Sequence, residues 1–292
     1  MRAASHNQKL RPYLSLPHKI WDLKDDADVL KLDWNEATIP PSPRVSAAVK
    51  GGRLEWYPNT KNKNLLKALA AYAQQESADF IELFAGSDAA HEGIIDTFLE
   101  RDEVIGIISP TYDHFRARAQ GVGLKTLSFE LDADFELDFE ALNVFLKEGK
   151  IKLLYLCNPN NPTGKAYPPQ SLEALVRGHA GVIFLIDEAY FEFYGQSLAH
   201  LCATCPNLII TRTFSKAFAL ASFRIGYVIS HPENIATLNK LRNPKSVPLL
   251  SQVAAQAALE DLAYTETYVS EVRAARAEFV RLLASMRGGG GG

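Results

Sequence analysis

Residues 151–164, Ile-Lys-Leu-Leu-Tyr-Leu-Cys-Asn-Pro-Asn-Asn-Pro-Thr-Gly, are a β-prone apolar run that stops abruptly in a polar, proline-punctuated turn. A strand that is apolar throughout, rather than at alternate positions, is one covered on both faces. The same pattern recurs along the chain. Val182 to Ile186, Leu208 to Thr211 and Ile225 to Ile229 follow downstream, and Phe80 to Phe84 and Val104 to Ile108 precede it. Helical spacing fills the intervals. Leu65, Leu66, Leu69, Ala70, Tyr72 and Ala73 lie on one helix, and Ile94, Ile95, Phe98 and Leu99 on another with Ser87 or Asp88 as N-cap. A third surrounds Phe115. This alternation predicts an α/β fold with a largely parallel sheet, whose ligands sit at the carboxyl ends of the strands. Every conspicuous polar cluster in the sequence follows one of these strands.

Five such clusters stand out. Ser215 and Lys216 follow the strand at 208–211, with Arg224 eight positions beyond the lysine. A hydroxyl and a planar guanidinium suit a phosphate dianion. Taken singly, Lys216 also fits a solvated loop and Arg224 a surface salt bridge. Asp187 closes the strand at 182–186 and Tyr190 lies three residues on. An isolated carboxylate there is costly unless a cation meets it, although Asp187 also suits the cap of a helix starting at Glu188. Asn161 sits in the rigid turn after Cys157. Gly86, Ser87 and Asp88 open a helix whose free N–H groups attract anions. Tyr112 places an aromatic ring after the strand at 104–108, suited to stacking or to core packing. A lysine amine for an aldehyde, an acid for a pyridine nitrogen, donors for a phosphate and ring oxygen, and a flat side chain over the ring are the requirements of pyridoxal 5'-phosphate (PLP).

Composition excludes other classes. With 31 basic against 34 acidic side chains and no Lys/Arg run, nothing suggests nucleic acid. The N-terminus does not read as a signal peptide, and no apolar run is long enough for a membrane span. Cys202 and Cys205 form one C-x-x-C without a second pair or histidines at ligand spacing, so no metal site is expected. Three cysteines in all make a reduced, cytoplasmic protein the expectation. There is no G-x-S-x-G, H-E-x-x-H or Walker loop. Leu249 to Met286 reads as a long helical region with a break near Leu262, amphipathic in its second half through Val269, Val272, Ala275, Phe279 and Leu282.

The ordered segments LDWNEATIPPSP from residue 32, WYP at 56–58, AGSDAAHEGI, SPTY, CNPNNPTG, IDEAYFEF and TFSKAFALASFRIGY resemble the fold-type I PLP-dependent aminotransferases, in their histidinol-phosphate aminotransferase-like branch. The resemblance implies a three-layer αβα large domain with a mostly parallel mixed sheet at 35–245. An N-terminal arm at 1–34 would precede it. The beginning of a small C-terminal domain at 246–287 would follow, with a glycine tail at 288–292 that reads as a linker. It further implies a homodimer with shared sites, in which Tyr57 reaches the partner's cofactor phosphate. Asn35, Tyr112 and Asn161 would lie near the substrate. An amino group would pass from an amino acid or amino-phosphate to a 2-oxo acid, with Lys216 carrying the cofactor and shuttling the proton.

The chain also departs from the family pattern. Ala221-Ser222-Phe223 replaces the usual alanine-glycine-leucine before the phosphate arginine, and Asn35-Glu36-Ala37 loses a polar side chain. The family's carboxylate-gripping arginine has no counterpart, since neither Arg281 nor Arg287 matches its motif. A lyase or decarboxylase on the same scaffold, and an incomplete non-catalytic relative, are the competing readings.

Overall fold

The computed structural model describes residues 4–8, 10 and 29–288. Most of the expected N-terminal arm, and Gly289 to Gly292 of the glycine tail, lie outside the described residues. Seven strands form one sheet: β1 (Ile81–Phe84), β2 (Val104–Ser109), β3 (Lys125–Glu130), β4 (Ile151–Cys157), β5 (Ile183–Asp187), β6 (Leu208–Thr213) and β7 (Gly226–Ser230). Their spatial order is β1-β7-β6-β5-β4-β2-β3. β3, β2, β4, β5 and β6 run parallel, whereas β7 is antiparallel to both β6 and β1. The sheet is therefore mixed but mostly parallel. β1 regains the direction of β6, so the carboxyl ends of β1, β2, β4, β5 and β6 share one edge with the start of β7.

Alternate side chains of the central strands divide between two cores. Leu154, Leu156, Phe184, Ile186, Leu208 and Ile210 face one. They are covered by α2 (Lys63–Tyr72), α5 (Phe139–Glu148), α6 (Pro169–Gly178) and α9 (Leu249–Leu259). Leu153, Tyr155, Cys157, Leu185 and Ile209 face the other, beneath α3 (Ser87–Phe98), α4 (His114–Gly121) and α8 (Pro232–Leu238). Burial on both faces is what makes these strands apolar at every position. Each buried leucine contributes about 1.5–3 kcal/mol from area alone.

Two local expectations need correction. The N-cap of α3 is Gly86, at φ 89°, with no side-chain cap hydrogen bond, rather than Ser87 or Asp88. The helical C-terminal region does break near Leu262, into α9 and α10 (Leu262–Gly288). Of the apolar stripe on α10, however, only Val269 is buried, and Phe279 and Leu282 face solvent. Among the described residues, no helix is long and apolar enough to cross a membrane.

Candidate active site

The strand ends bring most of the sequence-predicted residues together. Because β7 returns antiparallel beside β6, the connection from Phe214 to Ile225 leaves and re-enters the sheet at one edge, pinned by Phe214 N–H to Ile225 O. That loop carries Ser215, Lys216 and Arg224. A 3-10 turn at Ala221–Phe223 is where the family-atypical triplet lies, and it ends in Arg224 at φ 47°. The Arg224 guanidinium donates to the Ala221 carbonyl (3.3 Å) and reaches Ser215 Oγ (3.5 Å) and Asp88 Oδ2 (3.4 Å). The salt-bridge alternative for Arg224 is thus met in part, but inside the cluster and not on a remote surface.

The opening of α3 faces this guanidinium. A Cβ on Gly86 would stand 2.8 Å from Arg224 Nη2, and one on Gly226 would stand 2.7 Å from the Arg212 carbonyl and 2.9 Å from Ser87 N. Glycine at both positions lets β7, α3 and the arginine converge. With no side chain capping α3, its first N–H groups remain available to an anion. Asp88 accepts from Tyr112 Oη at 3.1 Å, which ties the aromatic after β2 to the same helix start.

Lys216 is half-buried. Its Nζ donates to the main-chain oxygens of Trp34 (2.7 Å) and Asn35 (3.2 Å), and lies 5.8 Å from the centre of the Tyr190 ring. Burial pushes this amine below the ordinary lysine range. Asp187 and Asp88 pull it back up, while Arg224 and Lys31 repel it further. Asn35 Nδ2 donates to Tyr190 Oη at 3.0 Å, and burial pushes the Tyr190 phenol up to about 12. Asn160 bridges the turns after β2 and β4 by donating to the Pro110 carbonyl (2.9 Å) and accepting from Thr111 Oγ1 (2.7 Å). Asn161 follows it, half-buried, at the same strand end. Tyr57 stands apart, 81% exposed, with the Lys245 ammonium 5.2 Å from its ring centre.

Asp187 is 3% exposed and closes β5. It caps no helix at Glu188, since the next helix, α7 (Phe191–Tyr194), begins later. Its Oδ1 instead accepts from the Ala189 N–H (3.1 Å) and Thr211 Oγ1 (3.4 Å), and its Oδ2 from Tyr155 Oη (2.9 Å). Its neighbour Glu188 is paired with Arg212 at 2.8 Å on the opposite face. Asp187 has no such partner among the described residues. Among the described residues, its ion-pair contact is His91 at 3.7 Å, and burial pushes that imidazole toward its neutral form.

Residues 27–290 match the family of class I and II aminotransferases. The chain belongs to that family. A dihydroxyacetone phosphate transaminase of Campylobacter jejuni is 61% identical over 296 aligned positions, which span 100% of this chain and 80% of that protein. A histidinol-phosphate aminotransferase of Syntrophotalea carbinolica is 34% identical over 87% of this chain and 72% of its own length. The crystal structure of the Sinorhizobium meliloti histidinol-phosphate aminotransferase with pyridoxal-5'-phosphate superposes with a TM-score of 0.81 at 28% identity, covering 86% of this chain and 70% of that one. The fold is fold type I, and this aminotransferase is a PLP enzyme.

The residues present fit that cofactor. A buried carboxylate with no guanidinium or ammonium partner among the described residues suits a ring cation. The uncapped start of α3, Ser215 and Arg224 suit a phosphate, and a depressed amine suits an aldehyde. The sequence reading missed His91, Tyr155 and Thr211, all buried polar residues around Asp187. Their signal is weak, because each occupies an inward position within an otherwise apolar strand or helix face.

Proposed function

We infer that Lys216 holds the cofactor aldehyde and moves the proton during transamination. The observation that carries this reading is the half-buried amine, held below the ordinary lysine range at the strand ends where Asp187, Arg224 and Asp88 converge. PLP, when bound, supplies an aldehyde that joins amines and a ring that withdraws electrons from the adjoining carbon. The chain's own groups do the rest. Asp187 would meet the ring nitrogen, and Tyr190 and Asn161 would donate to the ring oxygen. Tyr112 would cover the ring. Ser215, Arg224 and the N–H groups of Gly86, Ser87 and Asp88 would hold the phosphate. Lys216 would be the base that takes and returns the substrate proton, its neutral amine favoured by burial.

The substrates assigned are an amino acid donor and a phosphorylated ketone or 2-oxo acid acceptor. Support comes from the names of the relatives above, each of which refers to a phosphate ester. Asn35 lies beside Lys216 and Tyr190, where such a substrate would enter. A homodimer is assigned as well. Leu54, Trp56 and Tyr57 expose 77%, 59% and 81% of their surface on one loop, which suits a partner subunit and a Tyr57 that completes its neighbour's phosphate site. Three free, buried thiols fit the reducing cytoplasm. The assigned domains are a large one at 35–245 and the start of a smaller one at 246–287.

The test is borohydride reduction of the PLP-loaded protein followed by peptide mapping. The cofactor is expected on Lys216 and absent from Lys216→Ala. A label that persists at full stoichiometry in that variant overturns the lysine assignment. Carbon dioxide release with no need for a keto acid would move the enzyme to the lyases.

A further inference from the structure

Three polar side chains surround Asp187 on the face covered by α3 and α4, and none of them belongs to the machinery assigned above. Strand register explains their meeting. Asp187 pairs with Cys157 of β4 on one side and Thr211 of β6 on the other, and Tyr155 precedes Cys157 by two residues, on the same face. Tyr155 and Thr211 are both 0% exposed, and His91, one turn into α3, is 1% exposed. At such depth a hydroxyl or imidazole is costly compared with phenylalanine, valine or leucine, unless it has a task.

The geometry gives each group one. Tyr155 Oη donates to Asp187 Oδ2 at 2.9 Å, and its ring is held by stacking on Phe115 at 4.2 Å and 11°. Thr211 Oγ1 donates to Asp187 Oδ1 at 3.4 Å, so its lone pair is left to accept from His91 Nε2 at 3.0 Å. That network assigns the His91 proton to Nε2 and leaves Nδ1 bare, buried and without a hydrogen-bond partner among the described residues. Edge-on contacts to Phe115 (5.6 Å) and Tyr155 (5.5 Å) hold the imidazole in place. All three donors are neutral. An arginine would orient the carboxylate too, as Arg212 does for Glu188, but it would also cancel its charge. Neutral donors fix both oxygens and leave the charge for a cation from outside the chain.

We propose that Tyr155, Thr211 and His91 are positioning residues that aim the Asp187 carboxylate at the ring nitrogen of PLP. This rests on the reading of Asp187 given above. His91 acts through its hydrogen bond to Thr211, because its ring, 3.7 Å from Asp187 Oδ2, is pushed toward the neutral form by burial, and Tyr155 acts independently on the other oxygen.

The experiment compares the affinity of the apoprotein for PLP with its affinity for 1-deaza-PLP, in which a C–H replaces the ring nitrogen. Thr211→Val and Tyr155→Phe preserve volume, and thermal unfolding checks that each variant folds. Each is expected to bind PLP roughly ten-fold more weakly and the deaza analogue as the parent does. His91→Phe added to Thr211→Val is expected to cause no further loss. Equal losses for both ligands would mean that the trio only supports the fold, and no loss for either would mean that it is idle. Both results overturn the proposal. Asp187→Asn separates the two readings. If it discriminates between the ligands and the trio variants do not, the trio alone is wrong. If it fails to discriminate, the Asp187 reading falls and the trio with it.

Discussion

Lys216 Nζ lies 2.7 Å from the main-chain oxygen of Trp34, a residue 182 positions earlier in the chain that adopts φ 59°. Asn35 follows at φ 50° and offers its own carbonyl at 3.2 Å. Two successive side-chain-bearing residues in the left-handed region are uncommon, and their conformation turns both oxygens toward one amine.

The depressed amine sets a first prediction. Lysines titrate ordinarily near 10.5, and Lys216 lies below that value because burial penalises its charged form. Its neutral, nucleophilic fraction therefore rises at a lower pH than that of an exposed lysine. The rate of borohydride-fixable PLP capture, followed against pH, should have its midpoint below 10.5. Because the Asp88 carboxylate favours the ammonium, Asp88→Asn should move that midpoint lower still. A shift upward would contradict the assignment.

Glu192 supplies a pH dependence of stability. Burial raises its carboxyl from 4.5 to about 7, against the pull of Arg212. A raised folded-state value means that the folded chain binds the proton more tightly than the unfolded one. The associated stability is complete below about 4.5 and is lost as pH rises through about 7. Urea unfolding between pH 5 and 8 should show a decline on the order of 2 kcal/mol from this group. Glu192→Gln keeps the acceptor for Tyr72 Oη, 3.1 Å away in the native chain, and should flatten the decline.

Arg212 and Glu188 are each 2% exposed, 2.8 Å apart, and the guanidinium lies 3.5 Å over the Phe191 ring. Glu188→Ala strands a buried cation and is expected to cost about 3–5 kcal/mol by denaturant unfolding. The double variant Arg212→Met/Glu188→Gln removes both charges and should recover part of that loss. A double variant as unstable as the single one would show that packing, not charge, dominates there.

Glycine at the convergence of β7, α3 and Arg224 is testable by one methyl group. Gly86→Ala combines a φ of 89° with a 2.8 Å approach to Arg224 Nη2. It is expected to lower stability by about 1–3 kcal/mol and to weaken PLP binding by displacing the guanidinium. Gly164→Ala shares the positive φ but has open space around its Cβ, so it should lose stability without losing cofactor affinity. Titration of both apo variants with PLP separates strain from the loss of the phosphate grip.

Much of this was legible in the letters. Six of the seven strands announce themselves as apolar runs because both of their faces are buried. β3 did not, since Lys125–Glu130, unlike the other edge strand β1, is largely exposed, so its composition is that of any polar segment. The antiparallel insertion of β7 was equally silent, because apolarity records burial and not direction. Lys216, Asp187 and Arg224 were visible as polar residues breaking off apolar strands. His91, Tyr155 and Thr211 were not, because they occupy inward positions within apolar patterns. The stripe on α10 shows the reverse failure, a regular spacing that beyond Val269 meets no burying surface among the described residues.

The reversal of β7 has a consequence for how the enzyme can vary. Under the proposed roles, one hairpin connection holds both the covalent attachment and the phosphate arginine, while Asp187 and Tyr112 arrive from separate crossovers. Retention of the cofactor and tuning of its electronics are thus encoded in different stretches of chain. Mutational drift in the crossovers can change which reaction is favoured while the prosthetic group stays put, and a single scaffold becomes open to new chemistries by small steps.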